Sequence, residues 1–362
     1  MKLVHALVLV AAAGATSARA ELTQVADFGE NPGGLTMFEH VPTGVDGPMP
    51  VVVVLHGCTQ TQTYADLVGL TAFADDYGFA VIAPLAEPTS VNNCFSWFLP
   101  GDVIPGQGEA ASIVNMVDDL KARHDVDDDR VFITGLSGGG AMASHMLAIE
   151  PEVFAAGAVF GGVPYGCVGP VVDATTIAAC LVPGHVKTQA EWAALVTADI
   201  THDGAWPRVL TVHGSADTVV APLNSEAIAL QFTGLNGLDA APTSTTTTGA
   251  IATSVWTEDG TEVVKSVVIE GMTHATPVDP PNCGTATAFI LDVGYCGSLA
   301  ALDFFGIADA YVPPAEGEGE GEGEGEGEGE GEGEGEGEGE GEGVGEGEGE
   351  GDDDDEGGCA ST

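Results

Sequence analysis

Arg130-Val131-Phe132-Ile133-Thr134-Gly135-Leu136-Ser137-Gly138-Gly139 decides the architecture. It opens as an apolar, β-branched and aromatic run of strand length and ends in a glycine-framed serine. Ala141 to Ile149, rich in Ala and Met, continues as a helix. A serine between a buried strand and a close-packed helix sits on a sharp turn that exposes its hydroxyl above the sheet edge. Small neighbours are required because the turn is tight and the helix packs close. As bare text Gly-x-Ser-x-Gly is common, and a glycine-rich turn without chemistry would also produce it. The flanking strand and helix make it specific.

Outward from this turn the pattern repeats. Pro50 to Leu55 is a continuous run that suits a strand buried on both faces. Tyr64 to Tyr77 reads as a helix and Phe79 to Ala83 as the next strand. Gly108 to His124 has apolar residues at helical spacing. Ala156 to Phe160, Val209 to Val212 and Val263 to Ile269 are further strands, with a helix between Pro222 and Phe232. Strands alternating with helices indicate an α/β fold with a mostly parallel central sheet flanked by helices.

A serine needs a base, and the base needs an orienting acid. In a fold of this kind they follow in the order Ser, Asp or Glu, His, each after a later strand. Val209 to Gly214 leads through Ser215-Ala216 to Asp217, and Val267 to Ile269 leads through Glu270-Gly271-Met272-Thr273 to His274. Ser137, Asp217 and His274 are therefore the candidate catalytic residues. His213 precedes the acid and is expected to steady that turn. His145 lies within the helix after Ser137, facing packing or solvent. His185, His202, Asp199 and Asp203 lie in stretches that no strand feeds.

Acyl transfer also needs two donors for an oxyanion. The Gly138 N–H supplies one, and the Gly57–Cys58 loop after an early strand is placed to supply the other. A Cys58–Cys94 bridge would hold that loop and bring Phe95, Trp97 and Phe98 to the mouth as a pocket wall. The alternative is that these rings are ordinary core.

Met1-Lys2, an apolar run from Leu3 and Ala18-Arg19-Ala20 form a secretory signal peptide over residues 1–20. In an exported chain the cysteines are disulfide candidates. Without Cys359 there are six: Cys58, Cys94, Cys167, Cys180, Cys283 and Cys296. Six allow about 15 connectivities. Spacing suggests the local pairs Cys167–Cys180 and Cys283–Cys296, leaving Cys58 with Cys94. The chain has no Cys-x-x-Cys, and no metal or organic cofactor is expected.

The formal charge is −48, from 56 acidic and 8 basic residues. Glu-Gly repeats and the run Asp352 to Glu356 put 22 of those acids in the tail, residues 313–362. Like charges and glycine entropy keep such a tail from folding, so it reads as a disordered spacer or solubiliser. Cys359 within it is a candidate for surface attachment. The remaining body, residues 21–312, reads as one domain and carries about −28. A nucleic-acid or anionic-membrane partner is excluded, and neutral esters are favoured over charged ones. No later segment is long and apolar enough to span a bilayer. Sequence leaves the oligomeric state open.

Several separated motifs resemble those of the poly(3-hydroxybutyrate) depolymerase family of esterases. They are Leu55 to Thr61, Asn93 to Phe98, Gly135 to Met142, Val163 to Cys167, His274 to Asp279, Cys283-Gly284 and Leu291 to Cys296. The resemblance spans roughly residues 35 to 306. It implies an α/β-hydrolase fold and a secreted serine esterase whose triad is Ser137, Asp217 and His274. Polyesters or oligoesters of 3-hydroxybutyrate are the implied substrates. The family also includes feruloyl and acetylxylan esterases, so acylated plant polysaccharide is the alternative. A non-catalytic body displayed at the cell surface on its acidic tail is the alternative of another class. Two departures stand out. Gly138 replaces the family's usual Ala, and the tail replaces the separate binding domain of many polymer-degrading members, which favours soluble oligomers.

Overall fold

The computed structural model describes residues 21–87, 90–182, 186–308 and 311. The expected signal peptide and acidic tail lie outside the described residues.

Two short strands, β1 (Thr23–Val25) and β2 (Thr36–His40), pair antiparallel at one edge. β3 (Met49–Leu55) is buried throughout. Val51, Val53 and Leu55 join one apolar cluster, while Val52 and Val54 join another on the opposite face. A run of β-branched residues with no polar alternate can only sit between two layers. The single helix expected from Tyr64 to Tyr77 is instead two, α1 (Tyr64–Leu67) and α2 (Leu70–Tyr77). Gly69 separates them with φ 85°, and a Cβ there would stand 3.2 Å from the Gly284 nitrogen. A left-handed residue ends the first helix even though the apolar spacing continues.

β4 (Ala80–Leu85), α3 (Gly108–Arg123), β5 (Val126–Leu136), α4 (Gly138–Ile149) and β6 (Ala156–Phe160) follow the expected alternation. β5 begins before Arg130 because Val126 already pairs with Met49. Two unexpected helices come next, α5 (Ala174–Leu181) and α6 (Gln189–Thr197). Each starts on a reciprocal capping box, Asp173 with Thr176 and Thr188 with Glu191. β7 (Arg208–Gly214) and α7 (Leu223–Leu235) lead to β8 (Ser244–Thr248), β9 (Ile251–Glu258) and β10 (Thr261–Ile269). β11 (Thr276–Val278) and β12 (Ile290–Asp292) form a small parallel pair before α8 (Gly297–Phe305).

The main sheet has the order β1-β2-β4-β3-β5-β6-β7-β10-β9-β8. The stretch from β4 to β10 is parallel. Antiparallel strands finish both edges. Residues of α3, α4 and α7 pack on one face, and those of α1, α2 and α8 on the other. Phe305 of α8 stacks on Phe132 of β5 with centroids 4.6 Å apart. The loops leaving the parallel strands open at their carboxyl ends, where ligands bind in open α/β sheets. Among the described residues three disulfides close loops of the chain: Cys58–Cys94, Cys167–Cys180 and Cys283–Cys296.

Candidate active site

Ser137 stands between β5 and α4 with φ 56° and ψ −118°. An L-residue in that region is strained, and it persists only where its surroundings enforce it. Here Ser137 N–H donates to Phe160 O at 2.9 Å, and Ser137 O accepts from Ala141 N–H at 2.7 Å. A Cβ on Gly139 would collide with the Leu55 and His56 carbonyls, so α4 can start this close to β3 only with glycine there.

Asp217 lies on the loop after β7 and His274 on the loop after β10. The two loops are stitched together: Ser215 N–H donates to Ile269 O, Gly271 N–H to Ser215 Oγ, and Ala216 N–H to Met272 O. Tyr64 hydroxyl meets Thr276 Oγ1 at 2.7 Å just beyond the histidine. His274 Nδ1 donates to Asp217 Oδ2 at 2.6 Å, with both side chains buried. Oδ1 accepts from the N–H groups of Val219 and Val220 at 2.8 and 2.9 Å. His213 Nε2 lies 3.1 Å from Oδ2 and 2.9 Å from Val220 O, so this histidine binds the acid directly as well as its turn. Burial alone would raise the Asp217 pKa. The bonds from His213, His274 and Val220 outweigh it and hold the carboxyl well below the usual carboxylate range. His274 Nε2 is buried without a hydrogen-bond partner among the described residues. It and Ser137 line the same cavity of ≈ 500 Å³.

The loop after β3 forms the facing wall. His56 Nδ1 donates to Gly57 O at 2.8 Å, and His56 Nε2 accepts Ala86 N–H at 3.2 Å. Burial pushes this imidazole down to about 4, which keeps it neutral for that pair of bonds. Gly57, expected as an oxyanion contributor, does not offer its N–H. That group donates to Gln60 Oε1 at 2.9 Å. Cys58 keeps a free N–H among the described residues, as does Gly138, the first residue of α4, whose N–H no helix carbonyl can take. A Cβ on Gly138 would sit 2.7 Å from Cys58 Sγ and 3.0 Å from Cys94 Sγ. The disulfide thus presses the two donor-bearing turns together, and glycine fits this chain's packing there.

Trp97 and Phe98 line the cavity, with Ile177 and Leu181 of α5, Val219 and Phe289. Phe95 does not. It is fully buried against His56, with centroids 4.8 Å apart, and supports the loop from beneath. His145 is buried, donating from Nδ1 to Ala141 O at 2.7 Å, and burial lowers it to about 4. The sequence reading missed Ile177, Leu181 and Phe289, since no strand or motif points to them. The Asp173–Thr176 capping pair at the start of α5 was the available signal for Ile177 and Leu181. Among the described residues no group of three or more His, Cys, Asp or Glu is placed to hold a metal.

Glu109 anchors the aromatic loop. It is 3% exposed, and its Oε2 accepts Ser96 N–H at 2.7 Å. Burial, assisted by the charge of Asp102, raises its carboxyl to about 7, against the pull of the Ser96 bond. Between pH 4.5 and 7 the unfolded chain releases this proton while the folded chain keeps it. Stability contributed below pH 4.5 is therefore lost as pH rises through 7, by about 3 kcal/mol. Glu109→Gln keeps an acceptor for Ser96 and does not titrate. Urea midpoints at pH 5 and pH 8 are expected to differ less in the variant than in the wild type; an unchanged difference refutes the assignment.

A mostly parallel sheet covered by helices, with a serine elbow and an acid–histidine pair at one end, defines an α/β-hydrolase. Residues 37–255 match the family model described as Esterase PHB depolymerase, and the chain belongs to that family. It is 44% identical over 293 residues to poly(3-hydroxyalkanoate) depolymerase C of Paucimonas lemoignei, covering 79% of this chain and 70% of that one. It is 32% identical over 286 residues to feruloyl esterase B of Thermothelomyces thermophilus, covering 76% and 96%. Among solved structures, acetyl xylan esterase from Aspergillus awamori matches with a TM-score of 0.68 and 28% identity, covering 80% of this chain and all of that one. The chain is a carboxylic ester hydrolase, as its motifs led us to expect.

Proposed function

We propose that this protein is an exported serine esterase acting on poly- or oligo(3-hydroxyalkanoate) esters. The observation that carries the mechanism is the 2.6 Å Asp217–His274 pair buried beside the strained Ser137 elbow. Ser137 Oγ attacks the ester carbonyl while His274 Nε2 takes its proton. The N–H groups of Cys58 and Gly138 hold the oxyanion. His274 returns the proton to the leaving alcohol as the C–O bond breaks, leaving an acyl-serine. Water, deprotonated by the same nitrogen, attacks that acyl group and releases the acid and free Ser137. Asp217 holds the imidazole in the tautomer that leaves Nε2 open.

For the substrate, the apolar lining of the cavity and the −28 body favour a neutral aliphatic ester. The higher identity to a depolymerase than to a feruloyl esterase points the same way. The likeness to an acetyl xylan esterase structure keeps a second reading open, a cell-wall polysaccharide esterase. We compare kcat/KM on 3-hydroxybutyrate trimer, methyl ferulate and acetylated xylan, expecting the trimer to lead by at least about tenfold. The reverse order would transfer the protein to the polysaccharide class. The signal pattern and the three disulfides support export. One esterase domain over 21–312, followed by an acidic spacer over 313–362, completes the proposed organisation.

A further inference from the structure

Two cavities share one wall. The catalytic one is joined by a second of ≈ 480 Å³, lined by Val103, Ile104, His145, Tyr165, Leu195 and Ile200 among others. Trp97 and Phe98 are the two residues common to both linings. Their rings cross at 89° with centroids 5.4 Å apart, and Trp97 meets His145 at 6.1 Å on its far side. Trp97 Nε1 lies 3.7 Å from where a Cβ on Gly138 would stand. One edge of the indole therefore ends beside the nucleophile turn, while the ring also faces the second cavity.

This wall is held from two directions. Cys94 ties its loop to Cys58, and the buried Glu109 takes the Ser96 N–H. Two polar contacts of the second cavity are satisfied within the protein. Tyr165 hydroxyl donates to Asp199 Oδ2 at 3.0 Å, and His145 Nδ1 donates to Ala141 O. Apart from the Asp199 carboxylate at its exposed end, what faces the space is mostly alkyl and aromatic surface, which suits a hydrocarbon chain.

We infer that Trp97 determines acyl-chain length: with Phe98 it forms a fixed partition between the two neighbouring cavities, confining the acyl group to the catalytic one. The second cavity is the room a longer chain enters when the partition is removed. This rests on the esterase reading above and adds a specificity-determining residue to it. In this role Trp97 acts by refusing methylenes, and each one refused is worth about tenfold or more in rate.

The test compares kcat/KM on p-nitrophenyl butanoate and octanoate. In Trp97→Ala the octanoate-to-butanoate ratio is expected to rise at least about tenfold over wild type. Adding Ile200→Trp, which fills the second cavity, is expected to return the ratio to near the wild-type value. Trp97→Phe keeps a ring in the wall and is expected to hold the octanoate-to-butanoate ratio close to the wild-type value. Should Trp97→Ala fail to fold, Phe98→Ala opens the wall from its half-buried side and is expected to raise the same ratio. Equal losses on both esters in a folded opened variant overturn the partition. A gain that survives Ile200→Trp overturns the assignment of the second cavity. A wild-type protein that cleaves neither ester overturns the esterase reading itself, and the partition with it.

Discussion

Ser137→Ala is expected to lower kcat on p-nitrophenyl butanoate by about 10⁶-fold while leaving the fold intact. On the proposed mechanism, removing the hydroxyl removes the atom that forms the acyl intermediate, and water in the same cavity lacks its orientation. Ser137→Gly sharpens the result. The native φ of 56° with ψ −118° is open to glycine and strained for any residue with a Cβ. The glycine variant should be equally inactive yet melt higher, by an amount equivalent to about 1 kcal/mol. An enzyme that gains stability when its nucleophile is deleted holds that nucleophile under strain for a reason other than packing. Residual turnover in either variant within about tenfold of wild type would place the nucleophile elsewhere.

The turn that carries Ser137 is the part of the site most legible in the sequence. Each of the six central strands carries an apolar stretch that is readable in the sequence, unbroken in β3, preceded by Asp127 to Arg130 in β5 and interrupted by Lys265 and Ser266 in β10. So are Ser137, Asp217 and His274, because each stands just past such a stretch. The edge strands were not legible. β1, β2 and β8 are short, and β8 is a row of exposed Ser and Thr with no buried face to set a period. Phe95 and Trp97 stand two apart on one loop, yet one supports His56 from below while the other walls the cavity. No spacing rule separates them, since the loop follows a disulfide and the Glu109 anchor instead of a regular repeat. Gly57 failed as a donor for a similar reason. Its N–H is taken by Gln60, a side chain three residues on, a contact that pattern cannot foresee.

Asp217→Asn is expected to lower kcat by about 10⁴-fold, less than loss of the serine but far more than its distance from the reacting carbon suggests. The carboxylate is enclosed by four donors: two backbone N–H groups on Oδ1, and His274 Nδ1 with His213 Nε2 on Oδ2. An asparagine can satisfy the backbone pair with its carbonyl oxygen, and then its NH₂ must face the two histidines. His274 can meet an N–H donor only by presenting a lone pair at Nδ1. That choice moves the ring proton to Nε2, the nitrogen that has to accept from Ser137. The geometry survives and the tautomer does not. Two measurements separate this from simple loss of structure. KM should change little while kcat falls, because the cavity walls are untouched. In addition, Ser137→Ala/Asp217→Asn should be no slower than Ser137→Ala alone, since an acid that acts only through the histidine has nothing left to assist. Additive losses in the double variant would show that Asp217 contributes by a route independent of the serine.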